Sequence, residues 1–205
     1  MPEKRRSSKK SIPLIVPPGG KFILLFGPLL VLKRFANPAM FSFFMIPSSA
    51  FLEVVRNFGP FLYPYHLIIH GTKGLALNLG PNDSLETVQK LKRNQILTMS
   101  EVLLQETVAV RVGCLAGPNI SKELSLGHPA ATVIASRYNE VILEGQRLLR
   151  SEKFQVYGNS DIIGVELSGV LKNIIAIAAG ALAGLGLGEN AKGLLISRGW
   201  WRWFT

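Results

Sequence analysis

The sequence predicts an α/β fold, in which helices cover the faces of a parallel β-sheet. From Phe41 onward, short apolar runs that suit strands alternate with segments whose apolar residues are spaced for a helix, and this alternation is typical of α/β sheets. Hydrophobic residues make up 48% of the 205 residues. A disordered chain would be poorer in them, so most of this chain should bury a core.

The first strand–helix–strand unit spans residues 41–72. The aromatic-rich run Phe41–Ile46 is followed by Pro47, as expected for a buried strand that ends there. Ser48 or Ser49, which follow Pro47, can cap a helix that runs to about Asn57. The run His66–Thr72 is the next strand. Because such units are normally right-handed crossovers, the two strands should be parallel.

Further strands and helices are predicted between residues 99 and 183. They are a short helix at 99–106, strands at 108–116, 131–135 and 154–157, a helix capped by Asn139, and a long apolar helix from Asp161 to about Ala183. Asp161 suits the N-cap position because a carboxylate accepts hydrogen bonds from the first backbone N–H groups of a helix. The long helix is apolar nearly all round, so we expect it to be buried.

The first 40 residues differ from the rest of the chain. The net charge is +10, and residues 1–10 carry five basic side chains against one acidic side chain. A basic head before an apolar stretch resembles a signal peptide or a membrane anchor. Prolines and Lys21 interrupt the stretch, however, and Phe22–Leu32 is shorter than the roughly 20 residues that a bilayer needs. We therefore expect an irregular N-terminal segment without stable membrane insertion.

The single cysteine and the basic charge bear on the class of protein. Cys114 cannot form an internal disulfide or a cysteine-based metal site, so a reducing, cytoplasmic compartment fits best. Its simplest role is that of a small buried strand residue. A basic surface can attract nucleic acid, anionic lipid or a phosphorylated substrate, and charge alone does not choose among them.

Ligands of open α/β sheets bind beyond the carboxyl ends of the strands, and the first such end is Gly71–Gly74. Lys73 follows an apolar strand directly and is flanked by glycines. This arrangement lets a cation approach a bound anion. A solvated turn lysine fits the same pattern, because most lysines are exposed.

The second strand end is the segment from Ala116 to Glu123. Gly117 would admit a ligand close to the backbone. Pro118 and Asn119 are expected to begin a helix, whose free N–H groups could hold a phosphate or a carbonyl oxygen. The alternative is an ordinary strand-to-helix turn.

The third candidate is Lys172, within the long apolar helix. A lysine and its neighbour Asn173 are costly inside a buried helix unless they are paired or functional. Burial would lower the pKa of Lys172 toward neutrality and make it a usable proton donor or acceptor. The alternative is a lysine whose stem lies along apolar surface while its ammonium group reaches water.

Other motifs are weaker. The glycines of Gly184–Gly188 resemble a dinucleotide fingerprint, but they follow a helix rather than a strand, so they indicate a helix C-terminus. The three histidines have no metal-ligand spacing. The sequence therefore predicts no metal site.

Several short motifs, in this order, resemble bacterial NAD(P)-dependent glycerol-3-phosphate dehydrogenase. They are Ile46–Ser48, Thr72–Leu75, Met99–Val102, Gly117–Asn119, Gly164–Asn173, Gly188–Lys192 and Ile196–Gly199. The segment that ends in Lys172 and Asn173 and the last two motifs are the most specific. The resemblance covers about residues 41–199.

The resemblance implies a hydride transfer from reduced NAD or NADP to dihydroxyacetone phosphate, which yields sn-glycerol 3-phosphate for phospholipid synthesis, and the reverse transfer. Lys172 would donate the proton to the ketone oxygen and accept it in the reverse direction. Lys73 would lie near both substrate and nicotinamide, and Gly117 and Asn119 would contact the substrate. Ser121, where the family usually has alanine, would lie against the cofactor.

The resemblance also implies a domain organisation. Residues 41–160 would be the second part of a dinucleotide-binding domain, with an incomplete Rossmann-like parallel sheet. Residues 161–205 would be the first long helices of an all-α C-terminal domain, and residues 1–40 are unmatched. No nucleic-acid partner is expected, and a homodimer is left open.

Two features of the family have no counterpart in this sequence. No G-x-G-x-x-G-type turn occurs in residues 1–40, and the chain ends before the helices that supply an arginine–asparagine clamp for the substrate phosphate. We therefore expect a truncated or frame-disrupted copy with weak or no activity. Two alternatives remain: an inactive remnant that associates with membrane or nucleic acid through its basic N-terminus, and an interaction fragment that docks through the helix from Asp161.

Overall fold

A computed structural model of the chain describes residues 22–26, 41–79 and 91–204. The strands are β1 (Phe22–Phe26), β2 (Phe41–Met45), β3 (Leu67–His70), β4 (Leu75–Leu77), β5 (Ile96–Thr98), β6 (Arg111–Ala116), β7 (Ala130–Ser136) and β8 (Phe154–Asn159). The helices are α1 (Ser48–Phe58), α2 (Met99–Glu106), α3 (Ser121–Ser125), α4 (Asn139–Leu149), α5 (Ile162–Gly184) and α6 (Glu189–Phe204).

The main sheet has the strand order β1-β2-β3-β6-β7-β8, and β4 pairs with β5 in a separate two-stranded ribbon. The four strands β1, β2, β3 and β6 are parallel, as are β7 and β8. The predicted α/β class with a mainly parallel sheet is therefore confirmed. The pair β6–β7 is antiparallel, with Gly113 opposite Ser136, which the sequence did not predict.

The short connection between β6 and β7 explains this antiparallel step. The only helix between them, α3, has five residues and rises about 7.5 Å. That is less than half of the roughly 20 Å length of a six-residue strand such as β6. The chain therefore re-enters the sheet at the edge where β6 ended.

The core lies on both faces of the sheet. Phe43 and Phe44 are neighbours in β2 and point to opposite faces, yet they are only 1% and 0% exposed. Phe44 packs with residues of α1 and α2, and Phe43 packs with residues of α4 such as Val141. A parallel strand covered on both faces is expected to be apolar throughout, which is why the aromatic run in β2 identified it.

Most predicted elements occur close to their predicted bounds. Helix α2 has the predicted bounds, and Asp161 is the N-cap of α5, where its Oδ1 accepts a hydrogen bond from the Gly164 N–H at 2.9 Å. Asn139, predicted as a cap, is instead the first residue of α4. The strand predicted at 108–116 begins only at Arg111, after a turn in which Thr107 Oγ1 accepts from the Ala109 N–H.

Two local expectations were wrong, and the first concerns β1. Residues 22–26 form a strand parallel to β2, whereas we expected an irregular segment. Five consecutive apolar residues without proline can adopt an extended conformation. The backbone pairing that makes them a strand is a tertiary contact that the local sequence does not show.

The second wrong expectation is the burial of α5. Only Ile162, Glu166 and Gly169 in its first turns are buried, while Ile174 and Ile177 are 63% and 75% exposed. Beyond the sheet, α5 packs against α6, where a Cβ on Gly199 would lie 2.6 Å from Ile175 Cδ1. Periodicity cannot show where the surface that a helix packs against ends.

Among the described helices, α5 is also long and apolar enough to cross a membrane by length and composition alone. Its first turns pack on the sheet instead, so this property is weak evidence for a membrane. As predicted, the glycines that follow mark the end of the helix. Gly186 adopts the left-handed conformation, with φ of 71°, and its N–H donates to Ala183 O at 3.1 Å.

Candidate functional site

Two loops meet at one edge of the sheet, where β3 and β6 end. The two strands are parallel neighbours, with His70 opposite Cys114. The chain leaving β3 therefore reaches Lys73 beside the point where the chain leaving β6 reaches Gly117. The sheet topology thus places two of the predicted strand-end sites side by side.

The loop that carries Lys73 is held on both sides. Thr72 is buried, and its hydroxyl donates to Ile46 O, just after β2, at 2.7 Å. Gly74 has φ of 156°, and a Cβ there would lie 2.8 Å from Ser48 Cβ. Only glycine fits this position without strain. The backbone of Lys73 is thereby fixed relative to β2 and α1.

Lys172 reaches the same place from α5. Lys73 is exposed as a whole residue, but partial burial first, and then the positive charge of Lys172, hold its pKa below the ordinary value. The two ammonium groups are therefore close enough to repel each other. A negatively charged or electron-rich oxygen placed between them would relieve this repulsion, so the pair suits a phosphate or a carbonyl oxygen.

Lys172 and Asn173 are exposed, so the expectation that they are buried was wrong. Both lie in the part of α5 that extends beyond the sheet. Burial is therefore not what would make Lys172 a proton donor or acceptor. The pKa that is lowered is that of Lys73, and the positive charge of Lys172 is the second cause, after burial.

A groove of about 900 Å³ runs beside this pair. Gly117 and Pro118 line it from the end of β6, Lys172 and other residues of α5 line its longest wall, and Ile196 lines it from α6. A second cavity of about 10 Å³ is lined by Lys73 among others. Ala116, Val165 and Gly169 line both spaces. The two lysines thus belong to two adjoining spaces.

Gly117 has a structural reason to be glycine. A Cβ there would lie 2.8 Å from Ala131 O and 3.0 Å from the Cα of Thr132. The close approach of β7 therefore excludes a side chain, whether or not a ligand also binds. The alternative interpretation, an ordinary strand-to-helix turn, therefore accounts for this glycine, although Gly117 also lines the groove.

Asn119 uses half of its amide within the protein. Its Nδ2 donates to Thr132 Oγ1 at 3.0 Å, and that hydroxyl donates to Ala116 O at 3.0 Å. Its Oδ1 is buried without a hydrogen-bond partner among the described residues. A buried acceptor of this kind is costly, and a donor on a bound ligand would satisfy it.

The predicted helix start at Pro118 and Asn119 was wrong. Helix α3 begins at Ser121, and Ile120 precedes it without a side-chain cap. The amide of Asn119 is engaged by Thr132 and does not cap the helix. The five residues of α3 give no basis for an anion site at its N-terminus. The side chain of Ser121 lies outside the described part, so its predicted cofactor contact stays a prediction.

Sequence analysis missed a buried polar cluster beside Lys73. His70 Nε2 lies 2.9 Å from Ser100 Oγ and 3.2 Å from Glu166 Oε1, and Oε1 also accepts from the Ser100 N–H at 3.0 Å. We call these three residues the His70–Ser100–Glu166 cluster. A glutamate in the apolar first turns of α5 was the available signal, since a buried carboxylate requires partners.

The electrostatics of this cluster favour the carboxylate. Burial alone would raise the pKa of Glu166, but its contacts with His70 and Ser100 outweigh burial and hold that pKa below its ordinary value. Cys114, close by, is buried as predicted. Its burial, and then the charge of Glu166, raise the pKa of its thiol, which makes it unreactive.

No group of three or more His, Cys, Asp or Glu side chains within the described ranges is placed to hold a metal ion. His66 supports the backbone instead, since its Nδ1 accepts from the Tyr63 N–H at 3.0 Å. His70 belongs to the buried cluster.

Comparison with known families agrees with this geometry. Residues 31–142 match the model of the NAD-dependent glycerol-3-phosphate dehydrogenase N-terminus, and residues 161–201 match the model of its C-terminus. Both strand-end loops lie in the first match, and Lys172 lies in the second.

Individual relatives carry the same name. The chain is 39% identical over 162 residues to glycerol-3-phosphate dehydrogenase (NAD(P)+) of Pasteurella multocida, which covers 76% of this chain and 42% of the relative. It is 39% identical over 154 residues to the same enzyme of Bacillus subtilis, which covers 75% and 41%. The chain thus spans about two fifths of the length of these relatives.

Solved structures show the same fold. Glycerol-3-phosphate dehydrogenase from Coxiella burnetii superposes with a TM-score of 0.64 at 33% identity, over 78% of this chain and 44% of that one. A Plasmodium falciparum glycerol-3-phosphate dehydrogenase has a TM-score of 0.66 at 24% identity, over 80% and 42%; at that identity it supports the fold alone.

These matches confirm the resemblance and do not favour the inactive, N-terminally tethered remnant, whose basic residues 1–10 lie outside the described part. The order of the motifs, the mainly parallel sheet and the meeting of the Lys73 loop with Lys172 agree with the matches to both domains. The chain therefore belongs to the NAD-dependent glycerol-3-phosphate dehydrogenase family.

Proposed function

We propose that this chain carries the proton-transfer and substrate-positioning part of an oxidoreductase. The enzyme would interconvert sn-glycerol 3-phosphate and dihydroxyacetone phosphate with NAD or NADP, and would supply glycerol 3-phosphate for phospholipid synthesis. The observation that carries the proposal is the approach of Lys73 and Lys172, from a strand end and from a helix, beside a groove of about 900 Å³. Such a pair suits a substrate with a ketone oxygen and a phosphate.

The described residues fit the nicotinamide and substrate end of the cofactor site. Lys73, Lys172 and the unpartnered Asn119 Oδ1 offer two cations and one acceptor, which suit a ketone oxygen and the amide of a nicotinamide. Ser121 would contribute to the same site. The segment that follows β1, residues 27–40, contains no glycine-rich turn in its sequence and lies outside the described residues. When bound, the reduced cofactor supplies the hydride.

The residues of the chain supply the proton and the orientation. Lys172 donates a proton from Nζ to the ketone oxygen as the carbonyl carbon is reduced, and the neutral amine regains a proton from water because Lys172 is exposed. In the reverse direction Lys172 accepts the proton of the hydroxyl group. Lys73 lies beside it and stabilises negative charge on the same oxygen or on the phosphate. Gly117 and Asn119 border the substrate.

The experiment is NAD(P)H oxidation in the presence of dihydroxyacetone phosphate. We expect Lys172→Ala to lower kcat by about 10²–10⁴-fold, which is typical of a lost general acid. Lys172→Arg should lose turnover as well, because a guanidinium group does not release its proton. Lys153→Ala is the matched control, since this exposed lysine precedes β8, away from the groove.

Full activity of Lys172→Ala would contradict the assigned role. Absence of turnover in the unchanged chain, together with no binding of dihydroxyacetone phosphate, would contradict the proposed function itself and favour the expected inactive copy. We also propose cytoplasmic residence and a boundary near residue 160 between the two domains. Sedimentation would decide whether the chain forms a homodimer.

A further inference from the structure

The His70–Ser100–Glu166 cluster joins three elements that are far apart in sequence. His70 is the last residue of β3, Ser100 is the second residue of α2, and Glu166 lies in the second turn of α5. Only 1% of His70 and 8% of Glu166 is exposed. The cluster is thus a buried polar contact that links β3, α2 and α5.

Lys73 and Lys172 are each connected to this cluster by a short segment of chain. Lys73 is three residues beyond His70, on a loop already held by Thr72. Lys172 is six residues beyond Glu166 on a continuous helix, which is about 9 Å along the helix axis. A change in the His70–Ser100–Glu166 cluster would therefore change the distance between the two lysines.

Few fully buried side chains fix the direction of α5, although Ile163 and Val165 are partly buried on the sheet and Ile175 packs on α6. Its buried residues are Ile162, Glu166 and Gly169. Ile162 packs near Cys114 and Ala135, and Gly169 has no side chain. Among the described residues, Glu166 is the buried side chain of α5 nearest to Lys172, and it is held by two hydrogen-bonding partners. Without it, α5 would lose the buried side chain that ties it to His70 of β3 and Ser100 of α2.

We propose that the His70–Ser100–Glu166 cluster is a positioning device that sets the distance between Lys73 and Lys172. The inference rests on the proposed function for its importance, since it concerns the same two lysines. Its test requires neither dihydroxyacetone phosphate nor NAD(P)H. A chain without dehydrogenase activity can therefore still confirm or overturn it.

The test compares Glu166→Ala with Glu166→Gln in the full chain. Both changes remove a negative charge, and loss of that charge lowers the pKa of nearby lysines. Glutamine keeps a side-chain oxygen that can accept from Ser100, so α5 should stay in place. Alanine releases the helix, Lys172 moves away, and the pKa of Lys73 rises. In Glu166→Ala the lost charge therefore lowers the pKa of Lys73, whereas the movement of Lys172 raises it.

The readout is the titration of the Lys73 Nζ group by NMR of isotope-labelled lysine, assigned through Lys73→Arg. The titratable groups that line the cavity beside it are His70, Cys114 and Glu166, and Lys172 adjoins it. We expect the pKa of Lys73 to rise in Glu166→Ala and not to rise in Glu166→Gln. Glu144→Ala, a half-buried residue of α4 paired with Arg147, should leave it unchanged.

A second measurement is cross-linking of Lys73 to Lys172 with a short amine-reactive reagent, detected by mass spectrometry. The cross-link yield should fall in Glu166→Ala and persist in Glu166→Gln. If Glu166→Ala does not fold, Ser100→Ala replaces it. This change removes the hydrogen bond between the Ser100 hydroxyl and His70 but keeps the Glu166 side chain in the sequence. It should change both readouts in the same direction by a smaller amount.

An unchanged or lowered Lys73 pKa in a folded Glu166→Ala chain, with an unchanged cross-link yield, would overturn the proposal. The cluster would then contribute to stability alone. The same conclusion would follow if Ser100→Ala, used in its place, left both readouts unchanged.

Discussion

The imidazole of His70 lies 3.2 Å from the carboxylate of Glu166, and both side chains are almost fully buried. The contact joins the end of β3 to the second turn of α5. Removing the carboxylate would leave the Ser100 N–H and His70 Nε2 without this buried contact. The contact is therefore expected to stabilise the packing of α5 on the sheet.

We expect Glu166→Ala to lower the free energy of unfolding by about 1–3 kcal/mol, the cost typical of leaving a buried polar group unsatisfied. Glu166→Gln should cost less, because its amide oxygen can still accept from the Ser100 N–H. Urea unfolding followed by circular dichroism measures both values. Equal and small losses in the two variants would show that the pair contributes little.

The same carboxylate makes stability depend on pH. Its pKa is lower in the folded chain than in the unfolded chain, so the unfolded state binds its proton first as pH falls. The stabilisation is complete above the ordinary glutamate pKa of about 4.3 and is lost as pH falls through the folded value. Unfolding free energies measured across this range should decline more steeply for the unchanged chain than for Glu166→Gln.

Glu144→Gln serves as the matched control for that pH series. Glu144 lies on the exposed face of α4, beside Arg147. Exposed pairs of this kind contribute about 0–1 kcal/mol, so this variant should follow the curve of the unchanged chain. A Glu166→Gln curve parallel to both would remove Glu166 as the source of the acid sensitivity.

Lys73 should react with amine-directed reagents faster than Lys153 at the same pH. Its lowered pKa leaves more of its amine neutral, and the neutral amine is the nucleophile. Lys172→Ala removes the neighbouring positive charge, so the pKa of Lys73 rises and its labelling slows. Competitive acetylation with mass spectrometry measures the ratio of the two lysines. No slowing in Lys172→Ala would mean that the two ammonium groups do not interact.

Gly117→Ala should destabilise the chain, because the new Cβ would lie 2.8 Å from Ala131 O, a backbone atom that cannot turn aside. Gly180→Ala is the opposite case, since nothing lies within 4 Å of its added Cβ. Because Gly180 lies within α5, four residues before its end, the change should stabilise by about 1 kcal/mol. The melting temperatures of the two variants should move in opposite directions. A shift of the same sign in both would contradict the close approach of β7.

Local patterns in the sequence were sufficient for most elements and for the lysines. The aromatic run of β2, the cap at Asp161 and the glycines around Lys73 each reflect a rule that acts within a few residues. The wrong expectations have a shared cause. The start of α3, the strand at residues 22–26 and the exposure of Lys172 each depend on a partner distant in sequence.

By itself, the sequence determined the α/β class, the order of the elements and the motifs that place this chain in its family, because hydrophobic periodicity and turn chemistry are local properties. Only the tertiary structure decided which groups meet. It placed Lys73 near Lys172, directed the Asn119 amide to a hydrogen bond with Thr132, and buried Glu166 with His70 and Ser100. The strand order and the length of the sheet face set these distances, and neither is a property of any short segment of the chain.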